Sequence, residues 1–115
     1  MQVEQLKYTI WAPDKDALAA FYVAVFGGEV VRENPAVTEV AVGGGVISIH
    51  GGGEGARTWT GLTFQVPEVV ESAQEVVVGG GTLKAEPRPE NGEPPHLAMC
   101  IDPAGNEIML SRRRS

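Results

Sequence analysis

Apolar and polar residues alternate at the start of the chain. In the segment QLKYTIWAPD, Leu6, Tyr8 and Ile10 alternate with Lys7 and Thr9. A period of two predicts a β-strand whose two faces differ. We therefore expect the apolar set to face a helix and the other set to line the opposite face of a sheet.

The pattern then changes to a helical period. Apolar residues recur at i, i+3, i+4 and i+7, at Leu18, Phe21, Tyr22 and Val25. This spacing predicts a helix that buries one face. Asp14 is a suitable N-cap, and Gly27 and Gly28 are expected to end the helix.

Three short apolar runs follow the helix: GEVVRE, VTEVAV and GVISIH. The residues between them, Asn34-Pro35 and a run of three glycines, are typical of turns. The first half of the chain is therefore predicted to have the order β-α-β-β-β.

The second half repeats this order. It contains a strand GLTFQV, a helix PEVVESAQEVVV and three strands TLKAEP, HLAMCI and EIMLSR. The helix is expected to bury Val69, Val70, Ala73, Val76 and Val77. A second run of three glycines, at positions 79 to 81, is expected to end it.

A shift of about 54 positions superimposes the two halves. Thr9 then falls on Thr63, Pro13 on Pro67 and Gly27 on Gly81. We infer two βαβββ repeats, at about 4–52 and 58–113, within one domain spanning residues 1–115. The glycine-rich connector 51–59 lacks the Lys-Ser/Thr pair of a phosphate-binding loop, so we interpret it as a linker.

Composition excludes several classes of function. The chain has 115 residues and a net charge of −6, which disfavours nucleic acid as a partner. It has no long apolar segment and no secretory signal, so we expect no membrane association and a cytoplasmic location. The single cysteine, Cys100, is expected to be a buried apolar residue, and Arg112, Arg113 and Arg114 a solvated end.

Two segments carry a resemblance to a known family. ALAAFYVAVFGGEVV after the first strand and DPAGNEIML before the last, together with the paired βαβββ units, resemble the vicinal oxygen chelate superfamily of glyoxalases, extradiol dioxygenases, and fosfomycin- and bleomycin-resistance proteins. The resemblance implies an α+β fold in which two units form an open cup of mixed β-sheet with the helices packed outside. Pro103 and Gly105 independently favour a tight turn in DPAGN.

The family also implies where a metal would bind. Its ligands come from the first and fourth strands of each unit, which here carry Lys7 and Ser48, then Gly61 and Met109. Lysine is a cation, glycine has no side chain, serine is a weak ligand, and methionine is a soft one. We therefore expect no metal and no other cofactor, with Met109 as an apolar contact in a pocket wall. No spacing among His50, Glu39, Glu107 and Cys100 supports a different metal site.

Strand parity, with Trp59 added as the second tryptophan, gives the side chains expected to bind a ligand in the cup: Lys7, Thr9, Trp11, Ser48, His50, Trp59, Thr63, Gln65, Glu107 and Met109. Aromatic contacts with a few polar groups suit a small organic molecule. Catalytic residues are unknown, with Lys7, His50 and Glu107 as candidates for an acid or base. Glu107 is a conceivable partner for Lys7, and the proline-rich loop 87–95 is either a lid or a surface connection.

Two functions follow from these residues. The first is a metal-free protein of the glyoxalase and bleomycin-resistance type that binds a small molecule, for which an aromatic compound is one candidate. The alternative is a lyase, isomerase or dioxygenase-type enzyme that acts on a small carbonyl compound through non-standard residues. Because open half-sheets leave exposed strand edges, we also expect a homodimer.

Overall fold

The computed structural model describes residues 1–114, which contain eight strands and two helices. The elements are β1 (Lys7–Ala12), α1 (Lys15–Phe26), β2 (Glu29–Glu33), β3 (Val37–Val42), β4 (Gly45–Gly51), β5 (Thr58–Gln65), α2 (Val69–Val78), β6 (Thr82–Leu83), β7 (Leu97–Ile101) and β8 (Asn106–Ser111). They form two compact units, Met1–Ala56 and Arg57–Ser115. The order in each unit is β-α-β-β-β, which confirms the α+β fold with tandem repeats.

The first unit contains a four-stranded mixed sheet in the order β1-β4-β3-β2. β1 runs parallel to β4 with Lys7 opposite Val46 and Thr9 opposite Ser48. The β3–β4 and β2–β3 pairs are antiparallel. The crossover through α1 is what permits the parallel pair, since a tight turn can join only antiparallel neighbours.

The second unit contains the same sheet in the order β5-β8-β7-β6, with two differences. β5 has a register shift between Trp59 and Thr63, where Gly61 takes a φ of 74°. A positive φ is readily adopted by glycine and rarely by other residues, so the glycine at position 61 favours a bulge there. The second difference is β6, which has only two residues.

Each helix packs on one face of its own sheet. Asp14 accepts a hydrogen bond from the Ala17 amide and caps α1, as predicted, and Gly27 ends the helix with a φ of 69°. Three residues of α1 that the sequence predicted on the buried face are buried in the structure: Leu18, Phe21 and Tyr22. They pack with the buried inward residues of the strands, which include Ile10, Val40, Ile47 and Ile49.

Several predicted boundaries and burials were wrong. Leu6 precedes β1 and is 81% exposed, so it does not belong to the buried face of that strand. α2 begins at Val69, and Val70 and Val77 lie at the exposed margin of its apolar face. The predicted six-residue strand TLKAEP is β6 with two residues, since the proline-rich segment after it leaves the sheet.

Candidate functional site

One face of the first sheet is covered by α1, and the other carries polar and aromatic side chains. Lys7, Thr9 and Trp11 of β1 lie on this second face beside Ser48 and His50 of β4. They share the face because directly opposed residues in a sheet point the same way. The structure thus places the five first-unit residues that the sequence predicted for ligand binding on one surface.

A buried carboxylate lies at the centre of that surface. Glu39 of β3 is opposite Ser48 and only 4% exposed. Lys7 Nζ donates a hydrogen bond to Glu39 Oε1 at 3.2 Å and lies 3.2 Å from Oε2, while Arg32 Nη1 lies 3.9 Å from Oε1. We call Lys7, Arg32, Glu39 and Ser48 the cationic cluster, because two cations surround a single carboxylate.

Glu39 stays ionised despite its burial. Burial alone would raise the pKa of Glu39, but hydrogen bonds from Lys7 and Ser48, with the charges of Lys7 and Arg32, hold that pKa below its ordinary value. The Lys7 side chain is 42% exposed, so its ammonium group still reaches solvent. The cluster therefore presents a net positive charge on an acidic protein.

An aromatic pair lies beside the cationic cluster. The rings of Trp11 and His50 have centroids 5.6 Å apart with their planes tilted by 43°. Trp11 is 52% exposed, which leaves much of the indole open to solvent. An exposed indole on the same sheet face as a cation suits the flat face and the charged end of one small molecule.

The second sheet carries a different group on the corresponding face. Lys84 Nζ lies 2.6 Å from Glu107 Oε1 and 5.9 Å from the centroid of the Trp59 ring. We call Trp59, Lys84 and Glu107 the indole cluster. Glu107 is 9% exposed, and within residues 1–114 its Oε1 has no partner with hydrogen-bond geometry, so its contact with Lys84 is an ion pair only.

Lys7 and Glu107 therefore take different partners from the pairing considered in the sequence. Each is neutralised within its own unit, Lys7 by Glu39 and Glu107 by Lys84. Sequence reasoning missed Glu39 and Lys84 as members of these clusters. The signal for Glu39 was its place in VTEVAV, where parity puts it on the same face as Val37 and Ala41.

Strand register locates the remaining candidates. Thr63 is opposite Met109, and Gln65 is opposite Ser111, so both threonine and glutamine lie on the face of the indole cluster. Gly61 lies inside the bulge of β5.

The register also shows which residue of β5 is equivalent to Lys7. In the first unit Lys7 is opposite Val46. The residue of the second repeat that corresponds to Val46 is Glu107, and Glu107 is opposite Trp59. By register, Trp59 occupies the place of Lys7 in the second unit.

The four positions implied by the family do not fit a divalent metal. Lys7 is committed to Glu39, Ser48 hydrogen-bonds the same carboxylate, and Met109 offers only a thioether. Gly61 has no side-chain donor atom. Within residues 1–114, no three side chains of His, Cys, Asp or Glu come close enough together to hold a metal ion.

The proline-rich loop is anchored by an arginine that was expected to be solvated. Arg112 donates from Nε to the Pro95 carbonyl at 3.2 Å and from Nη2 to the Pro94 carbonyl at 3.2 Å. Its Nη2 also lies 3.5 Å from Glu93 Oε2, and its side chain is only 23% exposed. The prediction of a solvated end was wrong for Arg112, whereas Arg113 and Arg114 are exposed.

The family of glyoxalase-like domains matches residues 7–111, nearly the whole chain. The chain belongs to this family. No protein of curated function matches the sequence significantly. Neither helix of this glyoxalase-like domain, as described over residues 1–114, has the length and apolar character needed to cross a membrane.

Solved structures share the fold of this glyoxalase-like domain at low sequence identity. The fosfomycin resistance protein FosX from Listeria monocytogenes is 19% identical with a TM-score of 0.80, and the match covers 99% of this chain and 96% of that one. The bleomycin resistance determinant of transposon Tn5 is 17% identical, with a TM-score of 0.74 and coverage of 98% and 100%. A glyoxalase-related enzyme from Fulvimarina pelagi is 21% identical, with a TM-score of 0.74 and coverage of 96% and 89%.

Proposed function

We propose that the protein binds a small organic molecule on the polar face of the first unit's sheet, without a divalent metal at the four family positions. The observation that carries this proposal is the ion pair of Lys7 with buried Glu39. It puts an ammonium group at a position from which the family implies a metal ligand, and it occupies the nearest carboxylate. A ligand at this position would therefore meet the positive charge of the Lys7 ammonium group instead of that of a metal ion.

The ligand class follows from the charges and the rings. The cationic cluster contains Lys7 and Arg32 against one carboxylate, and exposed Trp11 lies on the same strand as Lys7. An aromatic or other planar molecule with a carboxylate or similar anionic oxygen would satisfy both features. The bleomycin- and fosfomycin-resistance proteins among the structural neighbours support a role in handling a small molecule, by fold alone.

Fluorescence titration with matched probes tests the proposal. Benzoate is expected to change the indole emission of the protein, while benzyl alcohol and benzylamine have weaker effects because they lack the anionic oxygen. Trp11→Phe should remove most of the benzoate signal, and Lys7→Met should weaken binding about tenfold, the loss of one charge-assisted hydrogen bond. Lys84→Met, in the other unit, is the control for a general loss of positive charge.

Two results would contradict the proposed function. One is an equal response to benzoate, benzyl alcohol and benzylamine, which would mean that charge plays no part. The other comes from elemental analysis of the purified protein: near-stoichiometric nickel, zinc, iron or manganese that is lost in Ser48→Ala or Met109→Ala would assign the metal to those positions.

The lyase or isomerase alternative rests on the exposure of Lys7. Its ammonium group is held in place by Glu39 yet reaches solvent, so it is placed to donate a hydrogen bond to a carbonyl oxygen that gains charge during a reaction. A panel of small α-keto and α-hydroxy carbonyl compounds, followed by NMR, tests this function. Turnover that disappears in Lys7→Met and persists in Lys84→Met would favour the enzyme over the binding protein.

A further inference from the structure

A pocket of about 250 Å³ lies at the edge of the second sheet, where β6 stops. β6 ends at Leu83. Ala85 and Glu86, which would continue that strand, line the pocket together with Leu97 of β7. At roughly 30 Å³ per water molecule the pocket has room for about eight waters, a volume that suits one small ring.

The backbone of Leu97 points towards the missing part of β6. Along an antiparallel strand, the N–H and C=O groups of successive residues point alternately to the two neighbouring strands. On the β6 side, the Met99 carbonyl accepts a hydrogen bond from the Lys84 amide at 2.8 Å. On the β8 side, the His96 carbonyl accepts one from the Arg112 amide at 3.1 Å. Leu97 is two residues from Met99, so its N–H and C=O groups also point to the β6 side.

These two groups of Leu97 have no hydrogen-bond partner among residues 1–114. Leu97 is 46% exposed and lines the pocket, so a ligand there can reach this edge of the strand. The free edge is one residue long, because the Met99 carbonyl is paired with Lys84 and the Pro95 carbonyl accepts from Arg112 Nε. It is therefore too short to pair with a peptide strand, and a small molecule fits it better.

The first unit shows which groups complete the same position. Val37 of β3 is opposite His50, and Leu97 is opposite Ser111. Ser111 corresponds to His50 in the repeat, so Val37 is the residue equivalent to Leu97. The Asn34 amide donates to the Val37 carbonyl at 2.9 Å, and Asn34 Oδ1 accepts from the Val37 amide at 2.9 Å. One amide N–H and one amide oxygen thus complete this edge in the first unit.

We propose that the pocket of the second unit binds a small cyclic amide, whose N–H donates to the Leu97 carbonyl and whose oxygen accepts from the Leu97 amide. A lactam carries both groups side by side on one edge of its ring, as the exposed edge of the strand requires. Ala85, Pro87 and Met99 supply apolar contacts for the rest of the ring. The site lies within the second unit and uses no residue of the cationic cluster, so it goes beyond the proposed function and does not depend on it.

Backbone amide NMR with 2-piperidone as the probe tests this site. The Leu97 amide proton is expected to move downfield with a millimolar dissociation constant, as suits a single small ring. The Val37 amide should not move, since Asn34 already accepts from it. N-methyl-2-piperidone and cyclohexanone keep the oxygen but lack the N–H group. Both should bind about tenfold more weakly, because they leave the Leu97 carbonyl unpaired.

Leu97→Pro removes the N–H group at an edge position, where proline is tolerated in a strand. It should weaken 2-piperidone about tenfold. Leu97→Ala keeps both backbone groups and is the matched control, so it should bind 2-piperidone more tightly than Leu97→Pro does. If Leu97→Pro does not fold, the three probes on the unchanged protein decide the question. Equal affinity for 2-piperidone and cyclohexanone, or 2-piperidone shifts that leave the Leu97 amide unmoved, would overturn the proposal.

Discussion

At the scale of single residues, Glu39 is held as an anion in the protein interior. The ammonium group of Lys7, the guanidinium group of Arg32 and the hydroxyl of Ser48 lie around its carboxylate on one face of the sheet. A carboxylate removed from water is tolerated only when its charge and lone pairs are satisfied in this way. The stability of the first unit should therefore depend on the ionisation of this residue.

Replacement of Glu39 by Gln tests that dependence. The pKa of Glu39 is lowered below its ordinary value of 4.5, so its contribution to stability is fully present above about pH 4.5 and is lost as pH falls through the lower folded-state pKa. Glu39→Gln should lower the free energy of unfolding by about 1 kcal/mol at pH 7, a discounted value because Lys7 and Arg32 are partly exposed. Denaturant titrations at several pH values would show the difference shrinking in acid.

The control for this change is Glu33→Gln on β2, where the side chain is exposed. It should alter the free energy of unfolding by less than about 0.5 kcal/mol. A stability difference for Glu39→Gln that stayed constant from pH 7 to pH 3 would mean that ionised Glu39 does not stabilise the fold.

Cys100 gives a second prediction at this scale. Burial raises the pKa of the Cys100 thiol to about 11, so only about one molecule in a thousand carries the reactive thiolate at pH 8. The native protein should resist iodoacetamide at that pH and gain one adduct after denaturation, as mass spectrometry would report. Rapid labelling of the native protein would contradict the buried position, which the sequence also predicted.

At the scale of elements, each helix is followed by a glycine at which the chain passes close to its neighbours. A Cβ on Gly28 would lie 2.5 Å from Val40 Cγ1, and a Cβ on Gly81 would lie 2.7 Å from Val76 Cγ1 and 2.8 Å from the Ile101 carbonyl oxygen. The glycines with positive φ, Gly27 and Gly80, precede them. The structural repeat is thus offset by one residue from the sequence shift that placed Gly27 on Gly81.

Gly81→Ala should therefore destabilise the second unit by about 1–3 kcal/mol, the usual effect of overpacking against atoms that cannot move freely. Gly45→Ala is the matched control, because the nearest atom to a Cβ there is the Val42 carbonyl oxygen at 3.7 Å. Thermal or urea unfolding measures both changes. An equal effect of the two substitutions would show that the close approach at Gly81 is unimportant.

Much of the architecture could be predicted from local pattern. Alternation in β1 and β3 and the helical period of α1 fixed those elements within one or two residues, because each buries one face. The extent of β6 could not be predicted, since its end depends on where the prolines take the chain. Strand parity also found the face of Lys7, Trp11 and Glu107. The pairing of Lys7 with Glu39 and of Glu107 with Lys84 depends on long-range register, which no local pattern specifies.

At the scale of the whole molecule, exposed strand edges lead to a prediction about assembly. β2 is exposed along its length, with Val30 at 43% and Val31 at 53%, and edges of this kind pair readily with another chain. We expect a homodimer in solution, with a self-complementary contact between identical surfaces. Sedimentation equilibrium should give about twice the chain mass of 12.2 kDa.

The dimer prediction has a clear contrary outcome. A 12.2 kDa species that persists at tens of micromolar, well above the ~μM dissociation constants of a sizeable interface, would exclude it. Val31→Lys tests whether the dimer forms through the edge of β2, because a lysine on an edge strand discourages pairing with another strand. Loss of the dimer in Val31→Lys would assign the contact to β2.

The pair formed by Lys7 and Glu39 also restricts how this fold can change over generations. A single substitution of Lys7 by a metal-binding histidine would leave Glu39 buried with Arg32, at 3.9 Å, as its remaining cation. A single substitution of Glu39 would remove the carboxylate that holds Lys7 in place. The two positions are therefore epistatic: any route between a side-chain cation and a metal at this site must alter both, and it passes through a less stable intermediate.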